Sequence, residues 1–468
     1  MEEKTNTLNT EKTQCEKPQQ GLSKVLGTMH IWALGVGIVL VGEFMGWNFA
    51  VQQGGTIGAI IACWVIALMF VTILMMNTEM GSIMPEAGGQ YTMAKYILGP
   101  LAAFNVGLML VIEYAALEAA DTIVVGQILK EINPDINATA FIILAYLVLT
   151  YMNYKGAAAT LTVNFIITAF AFATIIVLVL STNAFDAENS KIQLQELSNG
   201  LPYGQLGILA AMQFGVWYFL GIEGTALAAE ECRSTHRSLP IGAMIGLGTL
   251  LIGATLTWFV CSSLVEAGVL GESAYPLYDA AKEIGIPAVK ILLFLGTVMA
   301  CLASANGCIN DASRAWFAMS RDKLIPDFFG KTHPKYKSPY RAIIFLLPIS
   351  MAFAFTGLLD SVVTFSIFSA LLVYVITSIM MIRFRKMYPL GTIKRGYVCP
   401  IHPIPAIVCA VIALATLFGL YLGYWVNMIA GLVFYFLCSV WFMGRRAKFI
   451  DKENFLNVKE HNWPEPKI

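Results

Sequence analysis

The chain has 468 residues, of which 57% are hydrophobic and 13% charged, and its formal net charge is zero. A soluble domain carries about 25% charged residues, so this chain cannot clothe a water-facing surface, and lipid must cover much of it. The charge balance argues against nucleic acid as a partner, and the 9 cysteines, scattered singly with no CxxC pair, argue against a zinc or disulfide framework.

Residues 1–28 are mostly polar and contain no apolar h-region, so they read as a cytoplasmic tail and not as a secretory signal. A membrane-spanning helix needs about 20 mostly apolar residues. Runs of that kind lie at 29–53, 57–80, 100–129, 138–154, 161–183, 204–230, 240–265, 287–320, 341–358, 361–382, 404–423 and 425–444. They predict an all-α polytopic membrane protein with about twelve spans. The runs at 100–129 and 287–320 are long enough to tilt or project. Gly423 and Tyr424 separate the last two spans, which predicts a tight hairpin. Residues 445–468 read as a second polar tail.

Lysine and arginine favour the cytoplasmic side. With the N-terminus inside, 25 of the 30 basic residues fall in inside segments, and Lys130, Lys191, Lys282 and Lys290 fall outside. Arg314 sits in the inner half of the eighth span. Both termini are therefore expected in the cytoplasm.

The first span contains GVGIVLVGEFMGWN at 35–48, and the sixth contains FGVWYFLGIEGTALAAEE at 214–231. Each is an apolar run interrupted by glycines and a glutamate, five spans apart. Glycine inside a helix costs about 1 kcal/mol relative to alanine, and unwound backbone survives in lipid only where protein or a cavity satisfies it. Paired interruptions of this kind point to a transporter's midplane site. The competing reading is that the glycines serve close helix packing.

Four stretches resemble the amino acid–polyamine–organocation permeases. They are Leu40-Val41-Gly42, ahead of the Gly54-Gly55 pair; PEAGGQY at 85–91; GIEGTALAAEECRSTHRSLP at 221–240; and ASRAWFAMSRDKLIP at 312–326. They match that family's unwound GSG, its PxxGGxY, its G-aromatic-E segment and its R…M-x-R-D-x-x-x-P segment, and the resemblance spans about residues 25 to 445. Within the family, GEFMGWNFA at 42–50 looks most like the ethanolamine permease group. The resemblance implies a transmembrane transporter domain at 29–444. Two inverted five-helix repeats, about 29–183 and about 204–382, would carry broken helices 1 and 6, and two extra helices would follow at about 404–444.

Amino acid permeases seat the substrate carboxylate on backbone N–H groups of the helix 1 break, and such donors favour anions. Here the break keeps one glycine, Gly42, and Glu43 follows at once. A carboxylate there repels a substrate carboxylate and attracts an ammonium. At 4 Å and an effective dielectric near 20, one charge pair is worth roughly 4 kcal/mol before desolvation. The other reading has Glu43 protonated or bonded to a neighbouring helix.

The expected substrate-binding residues are Leu40, Val41, Gly42, Glu43, Trp217, Phe219, Gly221 and Glu223, with Trp47 and Tyr218 as further aromatic candidates for closing over a cation. Intramembrane acids are costly and usually functional. Glu113, Glu118 and Asp121 in the third span, with Ser304 and Asn306 in the eighth, are pathway or coupling candidates. Ser304 and Asn306 fall where the resemblance places small polar residues near a coupling ion. After Gly156, Asn164 and Thr168, some proton-coupled relatives carry a lysine; this chain has Ala171. Proton, sodium, exchange and facilitated diffusion therefore stay open. Arg233, Arg237 and Arg321 are expected to lock an inner gate or set topology.

The histidines are far apart, and no HExxH, Walker loop or nucleophile elbow occurs. No catalytic residue, metal ligand or cofactor is expected, and the chain does not read as an enzyme. The expected function is secondary-active or exchange transport of a small organic amine, ethanolamine favoured, across the plasma membrane. An amino acid permease of the same fold is the nearest alternative, and a nutrient sensor or a channel are more distant ones. The sequence leaves the oligomeric state open.

Overall fold

The computed structural model describes residues 22, 24–84, 86–182, 191–192, 204–234, 237–446 and 450. Most of both expected tails, and Pro85, Thr235 and His236 of the quoted motifs, lie outside the described residues.

The regular structure of the described residues is helical, with one isolated bridge between Leu26 and Cys232. Its α-helices are α1 (Thr28–Met45), α2 (Trp47–Gly81), α3 (Gln90–Leu98), α4 (Pro100–Ile132), α5 (Ala138–Tyr154), α6 (Ala157–Leu180), α7 (Gly207–Trp217), α8 (Ser238–Leu264), α9 (Ala267–Glu272), α10 (Pro276–Ile284), α11 (Pro287–Arg321), α12 (Tyr340–Ala354), α13 (Leu359–Met387) and α14 (Ile404–Trp441). Eight are long and apolar enough to cross a membrane, and α5 and α12 are shorter apolar helices.

Two of the long helices run across the boundary between two expected spans: α2 takes in the end of the first and all of the second, and α14 takes in the last two. In α2 the chain turns at Gly55, whose φ of 68° and ψ of 177° suit only glycine. Before the turn Gly54 packs against Ala211 and Gly207, and after it Ile66 and Ala62 pack against Gly215, so both arms lie along α7. In α14 the interruption is Tyr424 (φ −131°, ψ 35°). Cys409 before it packs on Tyr374, Tyr435 after it bonds Ser369, and Ser439 reaches Asn105. That is the expected hairpin, folded against α13.

Burial sorts the helices. α1 is buried from Ala33 to Met45, whereas α5 exposes Phe141, Leu144, Leu147, Val148 and Tyr151, and α14 exposes Val411, Phe418, Trp425, Leu432 and Phe436. Exposed apolar belts of this size belong against acyl chains.

The sixth span is broken as expected. α7 ends at Trp217, Gly221 adopts a left-handed φ of 104°, and a tighter 3₁₀ coil runs over Ile222–Glu231. The first span departs from expectation. α1 stays helical through Leu40, Val41, Gly42 and Glu43. Its interruption is a bend at Gly46 (φ −89°, ψ −13°), whose N–H still donates to the Gly42 carbonyl at 2.8 Å. One glycine among Leu40, Val41 and Glu43 does not unwind the ladder.

Both ends of the described chain meet the same face of the bundle. The N–H groups of Val25 and Leu26 donate to the Glu231 carbonyl, and Phe442 stacks on Phe104 at the start of α4. That face is tied by ion pairs. Lys95 meets Asp322 at 2.7 Å, and Glu79 holds Arg385 at 2.7 Å and Arg395 at 3.2 Å while accepting from the Cys399 N–H. The short helices α9 and α10 lie at the opposite end.

Candidate functional site

The centre of the bundle is where α1 crosses the break in the sixth span. A Cβ on Gly42 would stand 2.3 Å from the Trp217 carbonyl oxygen, and one on Gly46 would stand 2.8 Å from the Tyr218 ring. The Tyr218 hydroxyl donates to the Gly46 carbonyl at 3.0 Å. On the other side of α1, Ser304 of α11 donates to the Ile38 carbonyl at 2.6 Å, and Cβ atoms on Gly307 or Gly221 would also strike Ile38. The small residues in these three elements therefore serve close approach.

Glu43 points into protein. It is fully buried, and neither carboxylate oxygen has a hydrogen-bond partner among the described residues. A Cβ on Gly253 of α8 would lie 2.3 Å from its Oε2. One turn on, Trp47 stacks on Tyr218 with ring centroids 4.2 Å apart and donates to Thr257. Trp217 and Phe219 are buried too, packed on Phe49 and Phe70. The aromatic candidates thus form one cluster around the break.

Two cavities lie on the α9–α10 side of this cluster. One of about 350 Å³ is lined by Phe44, Met45, Ile128, Tyr275 and Phe294, and one of about 470 Å³ by Met45, Asn48, Phe49, Gln127 and Asp360. Both reach Met45, and the first also reaches Phe44, the neighbour of Glu43. The opposite end is closed by Arg321 on Glu230 and by the buried pair Arg314–Glu231 at 2.5 Å. Arg233 and Arg237, expected beside Arg321 at an inner gate, are exposed.

The other candidates go to four places. Glu223 lies in the broken segment, accepting from the Gly221 N–H at 3.2 Å and from the Tyr374 hydroxyl; Glu113 of α4 faces it. Asp121 is buried beside Ser304, so two separately expected candidates lie together. Glu118 lies by Ser350 and Tyr146. Asn306 belongs to a chain of amides: Asn153 donates to Asn306 at 2.8 Å, Asn306 to Asn164 at 3.2 Å, and Asn164 to the Ala33 carbonyl. Tyr114 and Tyr374 were not among the expected site residues. A lone tyrosine in an apolar span carries no sequence signal that separates a site from packing.

A family model described as amino acid permease matches residues 29–455. An uncharacterized transporter of Rhizobium meliloti (strain 1021) is 50% identical, over 95% of this chain and 96% of that protein. A branched-chain amino acid permease of Bacillus subtilis is 25% identical over 90% of this chain and 94% of its own length. A methylthioribose transporter of the same organism is 24% identical over 91% and 95%.

Proposed function

The chain belongs to the amino acid permease family, and within it we propose a plasma-membrane transporter of a small organic amine, ethanolamine favoured, working by secondary-active transport or exchange with both termini in the cytoplasm. Alternating access would open the centre of the bundle to one side at a time. The observation that carries the substrate class is Glu43, a buried carboxylate with no partner, next to the Gly42–Trp217 contact. An unpaired buried charge costs several kcal/mol, and a substrate ammonium offsets that cost. The Trp47–Tyr218 stack supplies a face for the same cation.

The intact helical ladder of α1 supports this reading as well. Backbone N–H groups engaged in a helix are not free to cradle a carboxylate, so the structure offers an amino acid's acidic end little at residues 40–43. The amino acid permease reading draws its support from the branched-chain amino acid permease of Bacillus subtilis.

Uptake into proteoliposomes separates the two. Ethanolamine, choline and a diamine are expected to compete for uptake, alanine is not, and Glu43→Gln is expected to lower amine uptake at least tenfold. Concentration of alanine with indifference to ethanolamine would overturn the amine reading. Binding without flux would support a sensor, and flux that never saturates a channel.

A further inference from the structure

Three buried carboxyl groups from three elements meet at the break of the sixth span: Glu113 of α4, Glu223 of the 3₁₀ segment and Asp311 of α11. All are fully buried. The donors around them are few. Tyr374 of α13 and the Gly221 N–H serve Glu223, and the Asn310 amide serves Asp311 Oδ1 at 2.8 Å. Glu113 has none at either oxygen, and Asp311 Oδ2 has none. The cation nearest this cluster, Arg314, is committed to Glu231 and the Asn310 carbonyl. Cys308, Tyr435 and Glu231 also face the cluster, and none supplies positive charge.

The carboxyl groups of Glu113 and Glu223 face one another, and two carboxylates are both acceptors, so a bond between them requires a proton on one. Like charges sharing a site oppose joint ionisation. A second observation points into the same place. The Tyr114 hydroxyl is fully buried and unpartnered. A Cβ on Gly224 would lie 2.7 Å from that hydroxyl and 2.0 Å from Asp311 Oδ2, so both polar atoms press on the backbone of the broken segment.

We infer that Glu113, Glu223 and Asp311 form a proton-binding site that couples transport to the proton gradient, loading a proton with the substrate on the α9–α10 side and releasing it on the other. This rests on the transport reading above. The connection to the closed end is short. Asp311 is three residues before Arg314 on α11, and Arg314 holds Glu231 at the far end of the segment whose second residue is Glu223. Movement of that segment changes the surroundings of the proton and the ion pair together. The proton enters and leaves as itself, and no other bond changes.

The test uses wild-type protein in proteoliposomes with trapped pyranine and ethanolamine as substrate, alanine as a second. An inward proton gradient is expected to drive accumulation, with inward proton movement that requires substrate. In Glu113→Gln and Asp311→Asn, gradient-driven accumulation is expected to fall by at least tenfold more than substrate counterflow does. Tyr114→Phe, a smaller change, is expected to shift the pH profile of uptake. Substrate uptake by wild type without proton movement, or driven by sodium alone, overturns the inference and leaves the transport reading standing. Variants that accumulate substrate and move protons as wild type does overturn the residue assignment. Absence of counterflow of either substrate in wild type overturns both.

Discussion

Arg321 grips Glu230 through two nitrogens, at 3.2 and 2.9 Å, and the same carboxylate accepts from the N–H groups of Leu22 and Ala87. One side chain thereby binds the end of α11, the chain before α1 and the turn before α3. Arg321→Ala removes the strongest of these bonds. Cys232 reports the result. Its thiol is 2% exposed, and burial together with Glu231 pushes its pKa up to about 12, so it is almost wholly unreactive thiol at neutral pH. Maleimide labelling at that position is expected to rise several-fold in the variant. Unchanged labelling would show that Arg321 does not close this end.

Gly42→Ala tests the crossing of α1 and the sixth span. The added methyl meets the Trp217 carbonyl oxygen at 2.3 Å and its carbon at 2.8 Å, and backbone cannot swing aside. Overpacking of this kind costs about 1–3 kcal/mol. A lower melting temperature and at least tenfold lower uptake are expected. Wild-type stability in this variant would mean the crossing is looser than described.

Glu43→Gln is expected to separate stability from activity. Replacing an unpaired buried charge with a neutral amide of the same shape removes a desolvation cost, so the melting temperature is expected to hold or rise while amine uptake falls. A fall in both would mean Glu43 has a structural partner.

Asn306→Ala breaks the amide chain joining α5, α11, α6 and α1. Asn153 and Asn164 each lose a partner, and a buried polar group left unsatisfied costs about 1–3 kcal/mol. A drop of several degrees in melting temperature is expected, larger than for Asn105→Ala at the partly exposed start of α4. Equal effects would show that the chain adds nothing beyond its separate bonds.

Much of the architecture was legible in the sequence because apolar runs of a given length have few uses. The spans, the hairpin at Tyr424 and the break at Gly221 all follow from run length and glycine placement. The break in the first span was misplaced for a physical reason. Gly42 marks close packing against Trp217, and a glycine needed for lack of a side chain looks the same in sequence as one needed for backbone freedom. The acids of α4 were visible, but their partners were not. Whether Glu113 meets Glu223 or Asp121 meets Ser304 depends on how helices far apart in sequence pack, which no local pattern encodes.

The terminal hairpin carries a mechanical implication. Before Tyr424 it lies in backbone contact with α7, where a Cβ on Gly419 would stand 2.0 Å from the Leu209 carbonyl; after Tyr424 it is fastened to α13 and α4 through Tyr435 and Ser439. An element anchored to both partners of a sliding joint cannot travel with one without dragging on the other. Under the proposed alternating access, α14 would act as a limit stop on how far the sixth span swings away from α4.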